Sequence, residues 1–180
     1  AVANHLRYGS DNGALSHGYD IHHIYSSPQL RSLQTTVPLS QHFNCRPEIW
    51  VQTHERGGVA ILHHKGVQHQ SGLTRPEIMT QFPMFKIPHQ ITDKGWWRGR
   101  EKLESNDEVN IRARIVANGL FIKARTSQDI GVVMVSHNTF MNSLAQLLLK
   151  DHDGRYLHHN GGISRIDIYP NSQATLQYLN

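Results

Sequence analysis

The sequence predicts an α/β fold: a three-layer sandwich in which helices flank a mostly parallel central sheet. Three observations predict it. Gly131–Ser136 is a continuous apolar run, typical of a strand buried on both faces in a parallel sheet. Asn138–Lys150, which follows, has the apolar spacing of an amphipathic helix. The last stretch, ISRIDIYPNSQATLQYL, alternates with period two around a Pro-Asn-Ser turn, which predicts a hairpin.

The earlier part of the chain continues the alternation of strands and helices. Residues 1–24 are polar and turn-rich until a short strand, predicted at Ile21–Tyr25. Ser27 followed by Pro28 predicts a helix N-cap with proline at the first helical position, and this helix is expected to end near Pro38. A second short strand is predicted at Glu48–Thr53.

Residues 56–104 differ in composition from the rest of the chain, since they are rich in glycine and proline and have few periodic segments. Trp96, Trp97 and Phe82 in this stretch need burial, so we expect an inserted lobe or lid rather than a linker. After it, Ser105 and Glu108 have the spacing of a capping box. This box is predicted to open a helix that runs through Ile111, Ile115, Val116 and Leu120.

Length and composition limit the classes of function that this chain can have. A chain of 180 residues fits one domain, taken as residues 1–180 with the lobe inserted. A net charge of +4 suits anionic small molecules, and without a run of Lys or Arg we expect no nucleic-acid partner. No apolar stretch is long enough to cross a bilayer, so no membrane role is expected. The single Cys45 excludes an internal disulfide and suits a reducing, cytoplasmic compartment.

The 14 histidines raise the question of a metal site. Several occur as adjacent pairs, such as His22-His23, and neighbouring residues on a strand point to opposite faces. No pair occurs with the spacing that places two imidazoles on one helix face in zinc enzymes. We therefore expect no metal and no other cofactor.

His137 lies where a buried strand runs into a helix, at the edge where open α/β sheets bind ligands. Asn138 and Thr139 begin the helix, and their free N–H groups and the helix dipole can hold an anion. Arg31 lies one turn into a helix at another strand end, where a guanidinium can bind phosphate oxygens. Glu55, past a third strand, could protonate a leaving oxygen. Taken singly, His137 could be no more than a helix cap, and Arg31 and Glu55 would more often be ordinary exposed side chains.

Together the three segments resemble the histidine phosphatase superfamily, the phosphoglycerate mutase-like proteins. Ser26–Thr35 matches the family's Ser-Ser-Pro-x-x-Arg-x-x-Gln-Thr motif, and Val132–Asn138 matches its Val-Val-x-Val-[Ser/Thr]-His-Gly segment. The Glu55 segment matches a Glu-x-Gly-Gly stretch found between them in many members. Gly72–Ile78, Gly95-Trp96-Trp97 and Asn160–Ser164 add similarity to one phosphatase subgroup, so the resemblance covers roughly residues 21–179.

The resemblance implies a metal-independent phosphomonoesterase or mutase acting on a small phosphate ester. In this family an imidazole attacks phosphorus, arginines and a second histidine stabilise the equatorial oxygens, and a carboxylic acid protonates the leaving group. It implies that Arg31 and His137 bind phosphate beside Asn138 and Arg7, and that Arg31, Glu55 and His137 serve catalysis. Formation of a homo-oligomer stays open.

The chain departs from the family pattern at its start. The family begins with a strand ending in Arg-His-Gly, whose histidine is the nucleophile, whereas the nearest match here is Arg7-Tyr8-Gly9. Leu15–Gly18 resembles a compressed form of the segment that normally follows, which indicates a truncated or internally deleted region. Two hypotheses remain: a phosphatase with impaired turnover, and a non-catalytic phosphate-binding or scaffold protein. A serine hydrolase is disfavoured, because no Gly-x-Ser-x-Gly segment occurs.

Overall fold

The structure is a computed structural model that describes residues 2–8, 18–64, 66–97, 104–127 and 129–179. The described helices are α1 (Val2–Tyr8), α2 (Leu30–Phe43), α3 (Arg75–Gln81), α4 (Asn106–Thr126) and α5 (Asn138–Leu149), with a 3₁₀ turn at Val51–Thr53. The described strands are β1 (Ile21–Ser26), β2 (Glu48–Ile49), β3 (Ala60–His63), β4 (Gly66–His69), β5 (Gly131–Val135), β6 (Arg165–Ile168) and β7 (Ala174–Tyr178).

A parallel sheet lies at the centre of the fold. Among the described residues its strand order is β2-β1-β5, with Tyr25 opposite Met134 on one side of β1 and opposite Glu48 on the other. The predicted C-terminal hairpin is present as the antiparallel pair β6–β7. The parallel arrangement brings the carboxyl ends of β1 and β5 to the same edge of the sheet, where the backbone N–H of Ser27 donates to the carbonyl of Val135 at 2.9 Å.

Helices cover both faces of this sheet, as the sequence predicts. On one face, Leu6 of α1 and Leu39 of α2 are buried together with Ile24 of β1. The other face has a second core, in which α4 and α5 pack together. Its buried residues are Val109, Ala113, Val116, Ala117, Phe140, Leu144 and Leu148. The predicted α/β class, with a parallel central sheet between helical layers, is confirmed.

The glycine- and proline-rich segment contains the β3–β4 hairpin, α3 and a third apolar core. Trp96 and Trp97 are buried in that core, which also includes Leu33 of α2. Gly58 and Gly72 have positive φ angles of 65° and 71°, and a side chain on either would overlap one of the indole rings. These glycines therefore let the backbone contact the tryptophans directly.

Two helices differ from the sequence prediction. The N-terminal region includes the helix α1, because Val2–Tyr8 contains good helix formers and Leu6 reaches the core. The predicted end of α2 near Pro38 is wrong, since the helix continues to Phe43. A proline inside a helix costs ~3 kcal/mol, and burial of Leu39 beside Ile24 offsets part of that cost.

Two other expectations, one about strand length and one about burial, are wrong. Only Glu48–Ile49 of the predicted strand forms β2, because it pairs with the last two residues of β1 before the 3₁₀ turn begins. β5 is half-buried rather than fully buried, since within the described residues it is an end strand of the sheet. The capping box of Ser105 and α4 are confirmed, but Ile111 and Ile115 are exposed, because the opposite face of the helix packs on α5.

Candidate active site

His137 lies between the end of β5 and the first turn of α5, as its N-cap. The ring is buried against the start of α2, with Nε2 at 2.8 Å from the Ser27 hydroxyl and 3.1 Å from that of Ser32. Its Nδ1 accepts from Arg31, at 2.8 Å from Nη2 and 3.2 Å from Nε. Because guanidinium can only donate, Nδ1 carries no proton, and the neutral ring is protonated at Nε2.

Burial and the Arg31 guanidinium lower the pKa of His137 to about 3. His54 and Arg112 add smaller contributions in the same direction. At neutral pH this histidine is therefore uncharged, and Arg31 is the positive charge in contact with its ring. A phosphate dianion placed beside the ring would raise this pKa, because an opposite charge favours the protonated form.

Gln29 holds Arg31 and the Glu55 turn together. Its side-chain Oε1 accepts from Arg31 Nη2 at 3.3 Å and from the backbone N–H of Glu55 at 3.0 Å. Its Nε2 donates to the carbonyl of Gly58 at 2.9 Å. Sequence reasoning did not select Gln29, Ser27 or Ser32, although all three lie in or beside the Ser-Ser-Pro-x-x-Arg motif.

Glu55 reaches the N-terminus of α5. One carboxylate oxygen accepts from the backbone N–H of Thr139 at 3.2 Å, and the other accepts from that of Phe140 at 3.3 Å. The expectation that the N–H of Thr139 is free to hold an anion is therefore wrong for this structure, because Glu55 already binds it. Asn138 lies in the same turn, and its side-chain oxygen accepts from the backbone N–H of His158 at 2.9 Å.

A buried ion pair supports the turn that carries Glu55. Arg112 of α4 contacts both carboxylate oxygens of Glu104, at 2.6 and 2.7 Å, and also donates to the carbonyls of Gln52 and His54. Glu104 in turn accepts from the backbone N–H of Gly57 at 3.2 Å. Burial alone would raise the pKa of Glu104, but the contacts with Arg112 outweigh it and lower that pKa.

A cavity of about 610 Å³ opens beside Arg31. Its lining is mixed: Leu30, Val59 and Leu73 contribute apolar surface, and three amide side chains, two hydroxyls and one carboxylate add polar groups to the guanidinium. The polar residues are Gln29, Gln34, Gln70, Ser71, Thr74 and Glu77, and Trp96 contributes an aromatic wall. The volume lies within the ~300–1,000 Å³ range of small-molecule sites.

Other residues that the sequence analysis considered are not part of the Arg31–His137–Glu55 cluster as the structure describes it. Arg7 lies in α1 rather than at a strand end, and the position of its side chain is outside the described part of the structure, as are residues 9–17. His22 and His23 occupy the amino-terminal half of β1, whereas Ser27 follows its carboxyl end. Among the described residues, no group of three His, Cys, Asp or Glu side chains could hold a metal ion.

Comparison with known proteins identifies the family. The family model of the histidine phosphatase superfamily (branch 1) matches residues 12–180, so the chain belongs to that superfamily. No match is found among curated protein sequences. Membership supports a phosphatase-type function acting on small phosphate esters. Over the described residues, no helix is long and apolar enough to cross a membrane.

Solved structures share the fold at low sequence identity. A mycobacterial glucosyl-3-phosphoglycerate phosphatase has 18% identity and a TM-score of 0.58, over 99% of this chain and 81% of that chain. A protein titled mycobacterial hydrolase 1 has 19% identity and a TM-score of 0.57, over 89% and 76% of the two chains. YhfR of Bacillus stearothermophilus has 16% identity and a TM-score of 0.52, over 98% and 80%.

Proposed function

We propose that this chain binds phosphate monoesters at the Arg31–His137 cluster and that its hydrolytic turnover is impaired. The observation that carries the proposal is the contact of the exposed Arg31 with the buried imidazole of His137, at the edge of the sheet where the dipole of α5 begins. A guanidinium, an imidazole that can gain a proton and the hydroxyls of Ser27 and Ser32 are suited to the oxygens of a phosphate group.

The surrounding residues suggest how an ester would be oriented. With the phosphate on Arg31, the leaving group would extend into the adjoining cavity, whose amides and hydroxyls can bond to hydroxyl groups and whose Leu30, Val59 and Trp96 can pack on its carbon skeleton. The Glu55 carboxylate would lie near the phosphate, because it contacts the helix turn that follows His137. A carboxyl group in this position can transfer a proton to the leaving oxygen.

The proposed impairment rests on the Arg7-Tyr8-Gly9 segment. Residues 1–180 contain no Arg-His-Gly, and their nearest match to this family motif has Tyr8 at the position of the nucleophilic histidine. A phenol with a pKa of ~10 is mostly protonated at neutral pH and is a poor nucleophile. Electrostatic stabilisation by Arg31 and His137 remains, so we propose residual hydrolysis rather than none. A purely non-catalytic phosphate-binding role is the second candidate, favoured by the Glu55 carboxylate being held as a helix cap.

Calorimetric titration with inorganic phosphate, in the presence of a chelator, tests the binding site. We expect the wild-type chain to bind phosphate and Arg31→Ala to weaken binding by about 10- to 150-fold, the value of a charged hydrogen bond of ~1.5–3 kcal/mol. Arg155→Ala is the matched control, because Arg155 is exposed. Equal affinity in the wild type and in Arg31→Ala would contradict the proposed site.

Hydrolysis of p-nitrophenyl phosphate under the same conditions tests the impairment. We expect slow turnover that is insensitive to the chelator and accumulates no phosphohistidine. Rapid turnover with a trapped phosphohistidine would overturn the impairment and leave the binding site intact. Binding without any turnover would instead support the non-catalytic role.

A further inference from the structure

The outer face of α4 carries exposed isoleucines. Ile111, Ile115 and Ile122 are 60%, 51% and 57% exposed, although α4 is a well-formed helix with a capping box at its start. The opposite face of the same helix is buried on α5. These isoleucines are therefore not part of the core that holds α4 in place.

The three side chains form one stripe along the helix. At 3.6 residues per turn they project within about 40° of one another, over an axial length of about 16 Å. Asn118 projects between Ile115 and Ile122 and is also exposed. We call this face, residues 107, 111, 115, 118, 122 and 125, the α4 stripe.

Charge is distributed unevenly along the α4 stripe. Asp107 lies in the first turn and Arg125 in the last turn, and both are exposed. Arg125 is held in place by a hydrogen bond to the Ser172 hydroxyl at 2.6 Å. One end of the stripe is therefore acidic and the other basic, with the isoleucines between them and the exposed Arg114 along one edge.

We propose that two copies of this chain associate through the α4 stripe, with their α4 helices antiparallel about a two-fold axis near residues 116 and 117. In this register Ile111 of one copy lies opposite Ile122 of the second, and Ile115 lies close to the axis. The acidic first turn of each helix meets the basic last turn of the other, so both ends attract. A parallel pair would place like charges together at each end.

Self-association fits this stripe better than a lipid surface does. Helices that lie on membranes carry a wide apolar face flanked by Lys and Arg, whereas this stripe includes Asp107 and Asn118. A self-complementary pattern of charge is what a two-fold interface requires. A single helix pair buries little area, so we expect a dimer that dissociates at micromolar concentration.

Sedimentation equilibrium over a range of concentrations tests the proposal. We expect a monomer–dimer equilibrium in the wild type and at least a tenfold weaker association in Ile115→Lys, because two like charges then meet at the axis. Leu157→Lys is the control, since Leu157 is 63% exposed but lies outside α4. A wild type that stays monomeric throughout, or equal association in Ile115→Lys, would overturn the proposal.

Charge reversal tests the antiparallel register. Asp107→Lys and Arg125→Asp should each weaken association, and the double variant should restore it. Circular dichroism shows whether each variant is folded, and restoration in the double variant argues against simple misfolding. Failure of the double variant to recover while it remains folded would refute this register. A wild-type chain that is monomeric in solution but binds lipid vesicles would overturn the proposal. If Ile115→Lys abolished that binding, the stripe would have a membrane role instead.

Discussion

The charge of His137 is set by the surroundings of its ring and could not be predicted from the residue type alone. Fourteen histidines and a basic composition suggest positive charge at the site, but the buried ring next to Arg31 is neutral. Its Nε2 proton is directed at the hydroxyls of Ser27 and Ser32. The site therefore holds one permanent cation, Arg31, beside an imidazole that is neutral at pH 7.

This neutral histidine predicts a pH dependence of stability. The folded-state pKa of about 3 lies below the ordinary 6.5, so the unfolded chain binds more protons between these values. The free energy of unfolding should therefore fall as the pH drops from 6.5 towards 3, by up to ~1.4 kcal/mol per pH unit from this group. Urea unfolding of the wild type and of His137→Gln at pH 7, 6 and 5 checks this. The stability difference between the two should shrink as the pH falls; parallel curves would contradict it.

Gln29 is the polar residue whose loss should affect both Arg31 and Glu55. Gln29→Ala removes the acceptor of the Glu55 N–H and the donor to the Gly58 carbonyl. Since a net hydrogen bond contributes ~0.5–1.5 kcal/mol, we expect phosphate affinity to fall by about two- to twelve-fold. Calorimetry with inorganic phosphate measures this, with the exposed Gln173→Ala as the control. An unchanged affinity would show that Gln29 does not position the site.

At the scale of elements, α4 anchors the turn that carries Glu55. The Glu104–Arg112 ion pair is buried, and Arg112 also binds the carbonyls of residues 52 and 54. Arg112→Met leaves a buried carboxylate without its cation, so we expect a loss of ~3–5 kcal/mol in unfolding free energy. Replacing both partners, as in Glu104→Leu with Arg112→Met, should recover much of that loss, because no unpaired charge remains. Denaturant unfolding measures both; a double variant less stable than Arg112→Met would contradict the argument.

Local sequence patterns are sufficient to predict some of the helices and strands. The capping box of Ser105, the apolar spacing of α5 and the period-two hairpin are local signals, and the structure contains all three elements. The end of α2 and the buried face of α4 depend on partners distant in sequence. Leu39 packs on Ile24, and α5 determines which side of α4 is covered, so neither could be predicted from local pattern.

At the scale of the whole molecule, the candidate site draws on segments far apart in the chain. Arg31 and His137 are 106 residues apart and meet because β1 and β5 are parallel neighbours. The motifs identified both residues, and adjacency at one sheet edge could be predicted. The contacts with Ser27, Ser32 and Gln29 could not, since they depend on the register of β1 against β5 and on side-chain rotamers.

Because the site joins these segments, phosphate should stabilise the entire fold. A ligand that binds only the native state adds RT ln(1 + [L]/Kd) to the free energy of unfolding, about 1.4 kcal/mol at tenfold excess over Kd. For a chain of this size that corresponds to a rise in Tm of about 3–6 °C. Thermal melts at pH 7 with inorganic phosphate, against chloride at equal ionic strength, measure the effect.

The variants separate specific binding from a general salt effect. Arg31→Ala should lose the phosphate-dependent rise in Tm at the same phosphate concentration, whereas the exposed Arg155→Ala should keep it. Lowering the pH from 7 to 6 decreases the proportion of phosphate that is dianionic, which weakens binding. The same change favours proton uptake by His137 in the complex, because a bound dianion raises the pKa of that histidine. The phosphate-dependent rise should therefore persist at pH 6 in the wild type and weaken in His137→Gln, which cannot gain that proton. An identical response of the two chains at both pH values would show that binding does not protonate His137.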